Sequence, residues 1–246
     1  MNPMRKYLLL LLALTSLCAC HRQVKITGVS TETFAIDAQL DPIQDQAYLQ
    51  ALEPTREALD REMNVQIGYA PERMWVNCPE CPMLNWSCDA LWEAAKRLCP
   101  KPVDMSVVNM GGMRCEWPAG PITRGHVFEL MPFDNTLVVL TLTGRDILDL
   151  CQSFVDCGAQ GVAGLRMTAV DGRLGEVTIG GKAVQPEATY TVATSNYLAG
   201  GADHMDALTR YVDIWNSDYV IRDLYLEAVQ QQDTVRGVVD GRMNIR

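Results

Sequence analysis

Thr136-Leu-Val-Val-Leu-Thr-Leu-Thr143, followed at once by Gly144-Arg-Asp146, decides the fold class. The run of Leu and Val between threonines is the strongest strand signal in the chain. Thr143 and Asp146 then form a capping pattern, which predicts a helix whose inward positions are Ile147, Leu148, Leu150, Cys151 and Phe154. Further on, Leu165–Val170, Glu176–Ile179 and Tyr190–Ala193 read as strands joined by Asp171-Gly172 and Gly180-Gly181 turns. Strand-to-helix steps mixed with hairpins predict an α+β fold: a mixed, partly antiparallel sheet packed with helices.

Working outward, Val103–Val108 is a short apolar strand, and Thr123 caps a short helix running to Leu130. Ser87–Leu98 reads as a helix, preceded by an irregular loop over Cys78–Trp86 that holds two prolines. Val65–Tyr69 has strand-like spacing, and Val24–Asp37 alternates weakly around a threonine-rich middle. Between these two, Asp41-Pro42 is a helix start, with Asp as the cap and Pro in the first turn. Ile43, Ala47, Leu49, Leu52, Leu59 and Met63 give that helix an apolar face, and Pro54 predicts a kink or two helices. Toward the end, Ser217–Val229 reads as a helix and Gly237–Ile245 as a closing strand with an Asp240-Gly241 turn.

The start of the chain is a targeting segment. Arg5 and Lys6 precede an apolar run over Tyr7–Leu17, about 11 residues long where a membrane span needs about 20. It ends in Leu17-Cys18-Ala19-Cys20, which resembles a bacterial lipoprotein signal with Cys20 as the lipidated residue. Residues 1–19 are therefore read as a signal peptide, 20–39 as a tether and first strand, and 40–246 as one domain. The implied location is an exported bacterial lipoprotein, periplasmic or anchored to the outer membrane through the lipid.

The formal net charge is −9, and removal of Arg5 and Lys6 makes it −11. With no polybasic run, a nucleic-acid polymer is not a partner, while a small anionic ligand needs only one or two local arginines. Nine cysteines are many for 246 residues. Export favours disulfides, yet the seven beyond Cys20 are odd in number, so at least one is free or bonded to another chain. Cys78-Pro-Glu-Cys81 has the spacing of half a zinc site but no matching second pair. None of the three histidines (His21, His126, His204) lies in a metal-ligand cluster, so no metal is expected on this chain.

Three stretches carry the chemistry: Asn109-Met-Gly-Gly-Met-Arg114, Pro132-Phe133-Asp-Asn135 and Asn196-Tyr197-Leu-Ala-Gly-Gly-Ala-Asp203. Each joins glycine or proline to a polar or aromatic side chain beside a predicted strand. Glycine lets the backbone take positive φ and lets a ligand come close, the role read for Gly111 and Gly112. Asn109 offers an amide that both donates and accepts. Arg114 suits phosphate or carboxylate. Phe133 and Tyr197 each present a flat face, and two such faces sandwich a nucleobase. Asp203 accepts from ribose hydroxyls. Each piece alone has an ordinary structural reading, as a turn, a core anchor or a surface charge.

In this order and spacing, together with Gly120-Pro-Ile-Thr123, Leu142-Thr-Gly144 and Asp240-Gly241-Arg242, the stretches resemble the C-terminal domain of the 5′-nucleotidase/UDP-sugar hydrolase family. The resemblance implies that the base stacks between Phe133 and Tyr197, and that ribose and phosphates meet Asn109, Arg114 and Asp203. It also marks departures. Cys78–Cys81 stand where the family often has an arginine, Gly200 where asparagine is common, and Ala202 and His204 where glycines are common. Family enzymes cleave phosphate with a separate dimetal domain built on Asp-x-His and Gly-Asn-His-Glu/Asp motifs, which this sequence lacks. The resemblance therefore implies no catalytic residue here. It implies a nucleoside or nucleotide ligand and a separate metallophosphatase chain that carries the divalent metals. The alternative is a lipoprotein that binds nucleosides or nucleotide sugars without catalysis.

Overall fold

The computed structural model describes residues 27–36, 44–232 and 234–246. The signal segment, Cys20 and the Asp41-Pro42 helix start lie outside the described residues. Two compact units are distinguished, Met1–Ala51 and Leu52–Arg246. In the first, residues 27–36 are exposed and without regular structure, so the strand expected over Val24–Asp37 is not formed there. Its threonines favour a ladder, but among the described residues no strand pairs with it, and a lone strand is not stable. Helix α1 (Gln46–Met63) spans the division between the units. At its start, Asp45 Oδ1 accepts from the amides of Ala47 and Tyr48. Pro54 lies inside this single helix rather than dividing it, and no residue of α1 is buried. The expected apolar face therefore meets no core. Residues 46–62 are all exposed, so water can meet the carbonyl that Pro54 deprives of a donor.

The second unit is organised around a five-stranded sheet with order β10-β4-β9-β2-β5. Its strands are β2 (Met105–Val108), β4 (Thr136–Thr143), β5 (Gly161–Ala163), β9 (Thr189–Ser195) and β10 (Asp213–Val220). Only β2 and β9 run parallel; the other pairs are antiparallel. The β4 run is continuously apolar because the sheet is covered on both faces. Leu137 and Val139 face one core with Leu84 and Leu91 of α2 (Pro82–Leu98) and Leu224 and Tyr225 of α6 (Ile221–Gln231). Val138, Leu140 and Leu142 face the other, with Ile147, Leu150 and Phe154 of α4 (Gly144–Cys157). That second core also takes Leu165 and Met167 of β6 (Leu165–Val170) and Val177 and Ile179 of β7 (Arg173–Ile179). Those strands belong to a four-stranded sheet with β8 (Lys182–Ala183) and β11 (Met243–Ile245). A small antiparallel pair, β1 (Gln66–Ala70) and β3 (Gly120–Thr123), leads into α3 (Arg124–Leu130). The architecture is α+β with mixed sheets, as the sequence implies.

The capping expectations at Thr123 and Thr143 hold in detail. Thr143 Oγ1 accepts from the Asp146 amide and Asp146 Oδ2 from the Thr143 amide, opening α4. Thr123 caps α3, and its own amide donates to Nδ1 of His126 at 3.0 Å, which gives that histidine a structural task.

Three boundaries differ most from expectation. α2 begins at Pro82, inside the segment read as a loop, because proline at a helix start has no amide bond to lose. Ser217–Val220 belong to β10, and α6 starts only at Ile221, since the edge of β4 pairs with residues that periodicity assigns to a helix. The closing strand shrinks to Met243–Ile245. Ahead of it, the Arg242 guanidinium bonds Asp89 (2.7 Å), Asp240 (3.0 Å) and the Val162 carbonyl (3.1 Å), which holds the chain in a turn.

Candidate functional site

Sheet order brings the three chemistry-bearing stretches to one edge. β2 and β9 are parallel neighbours, so their carboxyl ends lie together, and β4 is antiparallel to β9, so its start lies there too. Asn109 follows β2, Phe133 and Asn135 precede β4, and Tyr197 follows β9. The result is a cleft of about 340 Å³ lined by Asn109, Gly111, Gly112, Arg114, Phe133, Asn135, Tyr197 and Asp203. Every binding-site candidate named from sequence lines it. Asn135 is an addition, quoted in its motif but given no role by sequence reasoning.

After β2 the chain makes one 3-10 turn, Met110–Gly112, with the Gly112 amide on the Asn109 carbonyl at 3.1 Å. The Met110 amide donates to Gln160 Oε1 at 2.7 Å, which fixes the turn from a loop far away in sequence. The Asn109 side-chain amide donates to Asp203 Oδ2, joining the first stretch to the third. Neither Gly111 nor Gly112 has positive φ. Glycine at 112 instead leaves room for the Asn109 side chain: a β-carbon there would lie 2.7 Å from Asn109 Oδ1, which would have to move.

Asp203 and His204 do take the left-handed backbone, with φ of 54° and 61°. The left-handed stretch is thus carried by non-glycine residues, of kinds that tolerate it better than most. Just before it, Gly201 has φ of 84°, and a β-carbon there would meet Thr209 Cγ2 at 2.9 Å.

Phe133 is 37% and Tyr197 49% exposed, large rings held out of the core. The core aromatic contacts lie elsewhere, Trp86 meeting Trp117 at 5.1 Å and Tyr225 at 5.5 Å. Tyr197 rides on the one-turn helix α5 (Asn196–Ala199), whose cap Ser195 accepts from the Leu198 amide at 3.1 Å. Asn196 Oδ1 accepts from the Thr136 amide at 3.1 Å and ties α5 to the start of β4.

Arg114 is exposed and donates to the Gly111 carbonyl at 3.2 Å; among the described residues it makes no ion pair. It is the one cation among the lining residues. Cys78 packs behind the Met110 turn, its Sγ 3.4 Å from Met110 Sδ and 3.8 Å from the Ala159 carbonyl. Burial, and then the neighbouring Cys81, push the Cys78 thiol up from its ordinary value, so that thiol is neutral at pH 7. All seven described cysteines are free thiols. Among the described residues, no group of three or more His, Cys, Asp or Glu side chains could hold a metal ion.

Residues 64–210 match the family described as 5′-nucleotidase, C-terminal domain. The chain belongs to that family. As a 5′-nucleotidase C-terminal domain it is 27% identical over 238 residues to a 5′-nucleotidase of Vibrio cholerae, covering 92% of this chain and 41% of that protein. It is 27% identical over 192 residues to the protein UshA of Escherichia coli, covering 75% and 35%. A 5′-nucleotidase precursor from Thermus thermophilus superposes with a TM-score of 0.73 at 23% identity, over 82% of this chain and 43% of that one, which speaks for the fold. The chain thus spans about two-fifths of the length of the curated relatives it matches.

Proposed function

We propose that this chain is the nucleoside- and nucleotide-recognition half of a 5′-nucleotidase-type phosphoester hydrolase, with catalysis carried by a separate metallophosphatase chain. The observation that carries this reading is the cleft itself: two exposed rings, one arginine free of ion pairs and an amide–carboxylate pair around a single opening of about 340 Å³. That volume suits a small organic ligand. Each ring would stack on one face of the base, at about 1–3 kcal/mol per stack. Asn109 and Asp203 would take the ribose hydroxyls, and Arg114 would meet the phosphate. Energy gained on the base and sugar then holds the phosphate where a partner's metals act on it.

The described residues do not fit a two-metal centre, so no bond-breaking step is assigned to this chain. The remaining parts of the reading are the signal over residues 1–19, lipidation at Cys20 and attachment to a bacterial membrane from the exported side. The test is to mix the purified chain with a metallophosphatase chain that lacks a recognition domain and to assay AMP hydrolysis with Mn²⁺. A rate above that of the phosphatase alone is expected, and no gain contradicts the split-enzyme reading.

A second reading, capture of neutral nucleosides without catalysis, is favoured by one observation. The stretch Cys78–Cys81, which holds no cation and packs on Met110 through Cys78, stands where the family resemblance often implies an arginine. Calorimetry separates the two readings: adenosine bound as tightly as AMP supports capture, and tighter AMP supports the hydrolase half.

A further inference from the structure

Phe133 reaches the cleft on a short loop between α3 and β4, and exposed loops do not hold a ring in place by themselves. The chain on which Phe133 stands is gripped by the start of α6. The Ile221 amide donates to the Asn135 carbonyl at 2.9 Å. Arg222, the next residue, donates from Nη1 to the Phe133 carbonyl at 3.3 Å and from Nη2 to Asp134 Oδ1 at 2.8 Å. Its guanidinium also lies 4.5 Å from the centre of the Phe128 ring, on α3. One side chain therefore joins α3, the loop and α6, and the main-chain carbonyl it bonds belongs to the residue whose ring lines the cleft.

The energetics argue against a role in stability alone. The Arg222 side chain is only 16% exposed while Asp134 is 82% exposed, so the pair is half in water and screened. Arg222 Nε is buried with no acceptor among the described residues. A buried guanidinium with an unused donor is a poor stabiliser, and an apolar side chain of similar length often serves the fold as well. What an apolar side chain lacks is the fork that fixes the Phe133 carbonyl.

We propose that Arg222 is a positioning residue that sets the Phe133 ring on the wall of the cleft. The inference rests on the reading of the cleft as a nucleoside site, and it adds a residue outside the lining and outside the motifs. Its test uses the full chain, the variants Arg222→Met, Asp134→Asn and Phe133→Ala, and the double variant of Arg222 with Phe133. Amide hydrogen exchange over residues 133–136, measured without ligand, reads the loop directly. Arg222→Met speeds that exchange while the melting temperature stays close to wild type. Adenosine affinity, by calorimetry, falls about tenfold in Arg222→Met, less in Asp134→Asn, and no further when Arg222→Met is added to Phe133→Ala. Should Arg222→Met fail to fold, Arg222→Lys keeps the charge without the fork, and loop exchange between wild type and fully released is expected. Unchanged exchange in the Arg222 variants overturns the proposal. So does an affinity loss equally large in the Phe133→Ala background, since a general structural effect would act there as well. If wild type binds no adenosine, the nucleoside reading of the cleft fails, and the exchange measurement still decides whether Arg222 holds the loop.

Discussion

Asn109 works through a bond that a single methyl group would disrupt. Its side-chain amide donates to Asp203, and Gly112 leaves the room in which that side chain sits. In Gly112→Ala the added β-carbon, 2.7 Å from Asn109 Oδ1, makes the side chain shift, and the expected result is a weakened bond to Asp203. We expect adenosine binding to weaken by about 1 kcal/mol, roughly fivefold, in a calorimetric titration. Undiminished affinity would show that the Asn109–Asp203 pair does not shape the ligand's surroundings. The residue types at this pair were legible in the sequence; the reason for the glycine was not. The sequence reading gives Gly111 and Gly112 positive φ and close approach of a ligand; neither has positive φ, while both line the cleft. The distinction depends on where a side chain from position 109 comes to rest, which only the fold determines. Asn135 was overlooked for a related reason, because an asparagine next to a strand has many ordinary uses.

At the scale of an element, α4 shows how a local pattern becomes a pH-dependent one. Burial acts to raise the Asp146 carboxyl, but bonds from Thr143 and Arg210 outweigh it and hold the group below its ordinary value. The Arg210 contact runs from Nε to Oδ1 at 2.6 Å, with Asp146 12% and Arg210 47% exposed. The folded carboxyl therefore takes up its proton less readily than the unfolded one. As pH falls, the unfolded chain binds more protons, and stability drops. The contribution is whole above about pH 4, the ordinary carboxyl range, and disappears as pH falls through the folded value. Arg210→Ala is expected to lose up to about 1 kcal/mol at pH 7 in urea unfolding and to show a shallower fall below about pH 4. A slope identical to wild type would assign the low value to Thr143 alone. The capping box and β4 itself were readable because their determinants are neighbours in sequence. β10 was not: Asp213–Val220 become a strand by pairing with β4, with Ile214 opposite Leu140, and nothing local announces that partner. The Asp240-Gly241 turn was readable, and Gly241 takes positive φ there, but its anchor was not, since Arg242 is held by Asp89 from far away in the chain.

On the scale of the whole molecule, the sheet order does the assembling. Three motifs far apart in sequence converge because β2, β9 and β4 are neighbours whose relevant ends share one edge. The residues that line the resulting cleft could be named from sequence through a family resemblance, since no spacing along the chain reveals that Asn109 and Asp203 touch. The same resemblance implies that a 5′-nucleotidase C-terminal domain supplies recognition and leaves bond breaking to another unit. The proposed recognition depends on the rings of Phe133 and Tyr197 holding a base between them. The most direct measurement is calorimetric titration of adenosine into the wild-type chain, Phe133→Ala and Tyr197→Ala, with melting curves to confirm that each variant is folded. Saturable one-to-one binding to the wild type is expected, with a loss of about 1–3 kcal/mol, roughly 5- to 150-fold, in each variant. Equal affinity in all three folded proteins, or no binding to the wild type, would contradict it.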